Sequence, residues 1–425
     1  MLDNTTNTKK IFASVDTSVL FIYIALMLIG WVSIYAAVYD PSHQSIVDSS
    51  QRYGKQGIFI ATSLLIFVIV MTTHQHTIEG LAFVVYGLMV VMLIGVLIYG
   101  KKVNGARAWF EIGAFALQPA EFSKISTLLA LAAYLDNYNT NLQKAKTQIV
   151  CAILLAIPAI LILLQPDTGS VLVYASLVFV LYREGLSGNY LLFGGFAIVM
   201  VVLSLIFNKF VIIGILAFTL LGYVYFGAKK WRSRVWFALI TLFLGVGLSL
   251  SVDYAMENIL EPHQRTRVKV LLGLEEDPKG TGYNVRQSLI AIGSGGFLGK
   301  GFLQGTQTKF NFVPEQSTDF IFCTIGEEFG FWGTVVVIVL FGALIYKLVE
   351  IAERQTYNFA RIYGYGVASI IFFHVFINIG MTIGLLPVIG IPLPFISYGG
   401  SSLWAFTILL AILLKLDAAQ ISVRR

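Results

Sequence analysis

The polar stretch at residues 261–333 holds a dense set of side chains able to do chemistry. Its acids up to residue 319 are Glu261, Glu275, Glu276 and Asp277, and further on Glu315 and Asp319. Asp277 differs from its neighbours because Pro278 follows it and restricts its backbone to an extended form. With Gly280 and Gly282 close behind, that carboxylate is expected at a tight turn. Cations surround it in sequence: Arg265, Arg267, Lys269, Lys279, Arg286, Lys300 and Lys309. The glycines at 293, 295, 296, 299 and 301 let backbone approach a ligand closely, but their spacing is not that of a nucleotide P-loop. One carboxylate among many cations suits a sugar hydroxyl attacking the anomeric carbon of a lipid diphosphate sugar. That reaction needs one base and a stabilised anionic leaving group, whereas glycoside hydrolysis needs two carboxylates. A loop whose charges merely solvate it is the competing reading at this point.

The elements that must position this stretch are membrane helices. Hydrophobic residues make up 57% of the 425 residues and charged residues 12%, about half the charged share of a soluble domain. Mean hydropathy is +0.80. The chain reads as an all-α polytopic membrane protein forming one membrane domain over 1–425. Apolar runs long enough to cross a bilayer fall near 17–38, 56–73, 80–99, 118–136, 149–164, 168–182, 189–207, 210–227, 235–252, 320–346, 362–384 and 401–416, which makes about twelve. The first is too long for a signal-peptide core and has no small-residue cleavage site, so it is read as a retained helix. Lysine and arginine are enriched in alternate short loops, as in 144–146, 229–234 and 347–361. By the positive-inside rule both termini are then cytoplasmic and the large loop, about 253–319, is extracytoplasmic. No basic block with interleaved aromatics occurs, so no nucleic acid partner is expected. Cys151 and Cys323 lie in or beside apolar runs and are expected to be buried, inert thiols.

Ionisable residues within spans are costly and mark function by default. Lys124 lies about one turn into the fourth span, and Asp167 joins the fifth and sixth on the same outer side, so the two are expected to be able to pair. Glu121, three residues before Lys124, competes as the partner. His374 and Asn378 share one helix face, where they line a polar cavity or, the favoured reading, bond to a neighbouring segment. Glu327 and Glu328 read as solvated acids at a helix start. The stretch 387–402 cannot be a regular helix and is expected to wall a cavity.

Several motifs together resemble the SEDS family of bacterial cell-wall polymerases, the RodA and FtsW proteins. They are NGARAWFEIG (104–113), LQPAEFSK (117–124), QPDTGS (165–170), HQRTRV (263–268), the run from DPKGTG to DFIF (277–322), EEFGFWG (327–333) and PLPFISYGGSS (392–402). The resemblance covers nearly the whole chain, and the IAIGSGG, GKG and GTQ wording favours the RodA branch. It implies a glycosyltransferase that polymerises lipid II at the outer face of the inner membrane during elongation and shape maintenance. Asp277 matches the family's essential loop aspartate, proposed as general base. Lys124 and Asp167 match a lysine and aspartate that pair beside a central cavity. The implied partner is a class B penicillin-binding protein, the transpeptidase of the elongation machinery. Arg265, Arg267, Lys300 and Lys124 are candidates for phosphate contact, and Gln307 and Glu315 for positioning sugar hydroxyls. A divalent cation could share the diphosphate's charge, although no ligand spacing demands a metal. Family members typically have ten spans, so an extra hydrophobic pair is expected near 208–234. A lipid-linked precursor flippase is the alternative of a different class.

Overall fold

The structure, a computed structural model, describes residues 14–40, 42–43, 45–103, 106–113, 115–137, 140–227, 230–259, 262–272, 274, 281–309 and 312–424. It packs as two compact units, Met1–Gly185 with Asn284–Arg425, and Leu186–Tyr283.

The first unit begins with α1 (Thr17–Ala37), α2 (Arg52–Thr72), α3 (Gln75–Gly80) and α4 (Ala82–Tyr99). Asp16 caps α1 by accepting from the N–H groups of Ser18 and Val19, which satisfies donors that a helix start leaves orphaned. A small antiparallel sheet follows, β1 (Lys101–Val103), β2 (Ala106–Ile112) and β3 (Phe115–Leu117), in the order β1-β2-β3. The apolar count gives no sign of it, because its strands are too short to stand out beside spans. β3 leads into α5 (Pro119–Leu135), with Pro119 at the first turn, where its missing N–H costs nothing. Next come α6 (Ala145–Leu163) and the broken pair α7 (Thr168–Tyr174) and α8 (Leu177–Arg183).

The second unit holds α9 (Gly188–Ile206), α10 (Lys209–Phe226), α11 (Trp231–Tyr254), a π turn over Ala255–Ile259 and α12 (Pro262–Leu271). The bounds expected for an extra pair, 208–234, enclose one complete helix, α10. α13 (Thr281–Gly295) leads back to the first unit, which closes with α14 (Ile321–Arg354), α15 (Asn358–Thr382) and α16 (Gly400–Arg424).

Ten helices among the described residues are long and apolar enough to cross a membrane. Two of the expected stretches fall short of that length. α5 has 17 residues, and 168–183 is interrupted between α7 and α8. Burial separates the helices by role. Over their most apolar windows α15 is 67% and α16 78% buried, whereas α9 and α10 are each 6% buried. An apolar helix that stays exposed needs hydrocarbon as its solvent. α15 and α16, with α5, α1 and α14, supply most of the core of the first unit.

Candidate active site

Three groups of polar residues meet the segments that frame the first unit. The first lies on α5. Glu121, Lys124 and His374 are all buried. Lys124 Nζ donates to Glu121 Oε2 at 2.9 Å and stands 3.0 Å from His374 Nε2. It also lies 5.6 Å from the centre of the Phe406 ring. His374 Nδ1 is 3.2 Å from the carbonyl oxygen of Pro392. A carbonyl can only accept, so Nδ1 carries the proton and Nε2 offers its lone pair to the ammonium. The lysine therefore has a carboxylate, an imidazole and an aromatic face around it, which is how a cation survives in an apolar core.

Asp167 sits beside this group but serves another purpose. Its carboxylate caps α7, accepting from Ser170 N at 3.0 Å and Ser170 Oγ at 2.8 Å, and takes a third bond from Gln118 Nε2 at 3.0 Å. The expected Lys124–Asp167 ion pair is not formed. Glu121 is one helical turn from Lys124 and reaches it without bending either helix, while the orphan N–H of α7 claims Asp167. Gln118 connects the two, since it precedes α5 and its N–H donates to Ser401 Oγ at 3.2 Å.

The irregular stretch 387–399 is tied down from three sides. Asn378 Nδ2 donates to the carbonyls of Asp319 and Ile391 at 2.8 and 2.7 Å. With His374 on Pro392, these are the bonds to a neighbouring segment that the helix-face spacing suggests. Ser397 Oγ donates to Thr318 O at 2.7 Å, and Tyr398 N to Ser317 O at 2.9 Å. Leu393 N donates to Ser397 Oγ at 2.8 Å. Non-helical backbone so placed needs these partners because no water supplies them.

The third group is organised by a residue whose role the sequence hides. Glu327 is fully buried, not a solvated helix-start acid. Its Oε1 accepts from Lys300 Nζ at 2.6 Å, Thr306 N at 2.8 Å, Thr306 Oγ1 at 3.2 Å and Gln307 N at 2.9 Å. Its Oε2 accepts from Thr308 N and Thr308 Oγ1, both at 2.9 Å. Glu328 is also buried. One carboxylate thus gathers residues 300–308 around itself, and such charge-assisted bonds are the strong ones. Lys300 gives its ammonium to this cradle while a quarter of its side chain stays exposed. Gln307 gives its backbone. The clue in sequence is the spacing of GKG and GTQT ahead of EE, rich in donors that need an acceptor.

Helix α14 makes the cradle possible by breaking. Gly330 has φ 64° and ψ −157° inside it, a conformation that only glycine adopts readily. The carbonyls of Glu327 and Glu328, freed by the break, accept from Lys300 N and Gly301 N at 3.0 Å each, and Phe331 N donates to Gly296 O at 2.9 Å. A Cβ on Gly330 would stand 2.3 Å from Gly299 N, so the two backbones touch.

Glu315 lies at a separate polar corner. Arg52 Nη1 donates to Ser317 Oγ at 2.7 Å and is 4.0 Å from Glu315 Oε2. Val38, Gln51, Arg52 and residues 313–316 line a cavity of about 280 Å³ here. Nothing in the sequence sets Arg52 apart from the other loop cations. Arg265 and Arg267 lie on α12 of the second unit. Arg265 donates to the carbonyl of Glu257. At i, i+2 the two arginines do not share a helix face. Asp277, with Glu275 and Glu276, lies outside the described residues. Among the described residues no three His, Cys, Asp or Glu converge to hold a metal ion. Both cysteines are buried and free.

The family model for FtsW, RodA and SpoVE, described as a cell cycle protein, matches residues 16–211 and 192–421. The chain belongs to this family. Its two matched stretches overlap over 192–211, on α9 and the start of α10. The chain is 34% identical over 399 residues to the peptidoglycan glycosyltransferase MrdB of Escherichia coli (strain K12), covering 93% of this chain and 92% of that one. It is 31% identical over 434 residues to the peptidoglycan glycosyltransferase RodA of Treponema pallidum (strain Nichols), covering 96% and 98%. Among solved structures it resembles a chain of a peptidoglycan synthase complex that coordinates polymerization and crosslinking. There the TM-score is 0.70 at 30% identity, covering 95% of this chain and 97% of that one. Against the rod shape determining protein RodA of Thermus thermophilus the TM-score is 0.61 at 26% identity, covering 95% and 96%. Every residue group described above falls within the SEDS match.

Proposed function

We propose that this chain is a peptidoglycan glycosyltransferase that polymerises lipid II with release of undecaprenyl diphosphate. The observation that carries this is kinship along nearly the full length with proteins named for that activity. The chemistry follows from residue types. The 4-hydroxyl of one lipid II sugar attacks C1 of the donor sugar, and the carboxylate of Asp277 takes the hydroxyl proton. A C1–O bond forms on the face opposite the leaving group, so the α-linked donor gives a β-1,4 bond. The C1–O bond to undecaprenyl diphosphate breaks, and the diphosphate carries off the electron pair. Arg265, Arg267 and Lys300 are assigned to phosphate charge, and Gln307 and Glu315 to sugar hydroxyls. The Glu327 cradle supports the reading for Gln307, whose backbone it fixes, and it holds Lys300 by the ammonium with a quarter of that side chain left exposed. Lys124 and Asp167, each held by its own partners, form the floor of the cavity.

The same reading places the protein in the bacterial inner membrane as one domain with both termini inside, twelve segments crossing, and the loop at 253–319 outside with the sugar. The partner it fits is a class B penicillin-binding protein, which would crosslink the strands. The test uses purified protein with lipid II in detergent. Glycan strands are expected from wild type, with Asp277→Ala reduced by about 100-fold or more, the usual share of a general base. Equal yields would remove Asp277 from its role. If no strands form while lipid II crosses liposomes, the protein is a flippase.

A further inference from the structure

An apolar groove of about 520 Å³ runs between α1 and α14, walled by Leu28, Val32, Ile325, Phe329, Gly333 and Val336 among others. All these residues belong to the first unit. We propose that this groove seats the polyprenyl chain of the diphosphate-linked sugar substrate, with the diphosphate at Lys309. The proposal rests on the polymerase reading and adds where the lipid part of the substrate lies.

Three observations lead to that occupant. The groove is continuous with an aromatic wall that ends at a cation. Phe329 packs on Phe302 at 6.4 Å, Phe302 stacks on Tyr35 at 6.3 Å, and Tyr35 meets Tyr39 at 5.4 Å. Lys309 Nζ then lies 6.0 Å over the Tyr39 ring. Lys309 is exposed and stands one residue beyond the Glu327 cradle, on the same loop as Lys300. A hydrocarbon tail below and an anionic head above complement this arrangement. The size fits a segment of such a chain, since the volume lies within the range of small-ligand sites, about 300–1,000 Å³. Finally, the break at Gly330 joins the groove to the loop, since Phe329 and Gly333 flank it and Gly299 rests on it.

The test places wild type in nanodiscs with an undecaprenyl diphosphate carrying a diazirine in mid-chain. Cross-links to residues 28–33 and 325–337 are expected, and unlabelled undecaprenyl diphosphate should compete them away. Cross-links confined to other helices overturn the proposal. So does competition by excess phosphatidylglycerol alone, which would mark an ordinary phospholipid groove, or capture of another protein's helix at Val336. A second measurement fills the groove with Val336→Trp. The KM for full-length lipid II should rise about ten-fold, the loss of roughly two buried methylenes, while a short-chain analogue is processed as by wild type. Equal effects on both substrates sink the groove. Wild type that labels in the groove but makes no strands would instead sink the polymerase reading.

Discussion

At the scale of single residues, the buried charges divide into those that hold one another and those that hold backbone. Lys124 and Glu121 are an ion pair in the apolar core, with His374 as a neutral third member. Such a pair contributes little net stability, but removing one partner leaves a buried charge alone. Lys124→Met is therefore expected to destabilise the protein by about 3–5 kcal/mol. The double variant Lys124→Met with Glu121→Met should recover most of that loss. Thermal unfolding in detergent measures both, and additive losses would show that the two residues do not act as a pair. Glu327, which also pairs with Lys300, and the half-buried Asp167 belong to the other kind. Each carboxylate replaces several water molecules for N–H groups that no helix satisfies.

At the scale of elements, the break in α14 governs how the loop from 296 to 308 is held. Gly330 and Gly299 permit a backbone contact that any side chain would block. Gly330→Ala combines a conformation costing about 1–3 kcal/mol with a clash against backbone, which cannot move aside as a flexible side chain can. The expected result is faster amide exchange across 296–308, with exchange in the middle of α15 unchanged. Polymerisation should fall along with the loop's protection. Uniform loss of protection over the first unit would mean instead that the kink sustains the whole core. The sequence marks this break only by its Gly-Phe-Trp-Gly spacing, and apolar periodicity runs straight through it.

At the scale of the whole molecule, parity decides topology. α10 is the one complete helix within 208–234, the bounds expected for an inserted pair, and α9 precedes it. Removing α9 and α10 together should leave a C-terminal reporter on its original side of the membrane. Removing α10 alone should move that reporter across, because an odd number of spans inverts everything after it. A reporter that stays in place on loss of α10 alone would show that α10 does not cross.

Much of this protein was legible in its sequence. Long apolar runs fixed the class and most helix positions, because hydrocarbon admits only backbone that satisfies itself. The motifs carried the family, whereas the turn expected at Asp277 lies outside the described residues. Other features depended on tertiary structure. Spacing along α5 left Lys124 with two candidate carboxylates, and only packing shows that Glu121 takes it while Asp167 caps a helix. Glu327 looked solvated because a helix start with acids usually is, and its burial depends on a loop nearly thirty residues earlier folding onto it. Hydrophobicity can be read locally because it is a property of each residue and its solvent. The partner of a charge cannot, because it is set by which segments the fold brings within 3 Å.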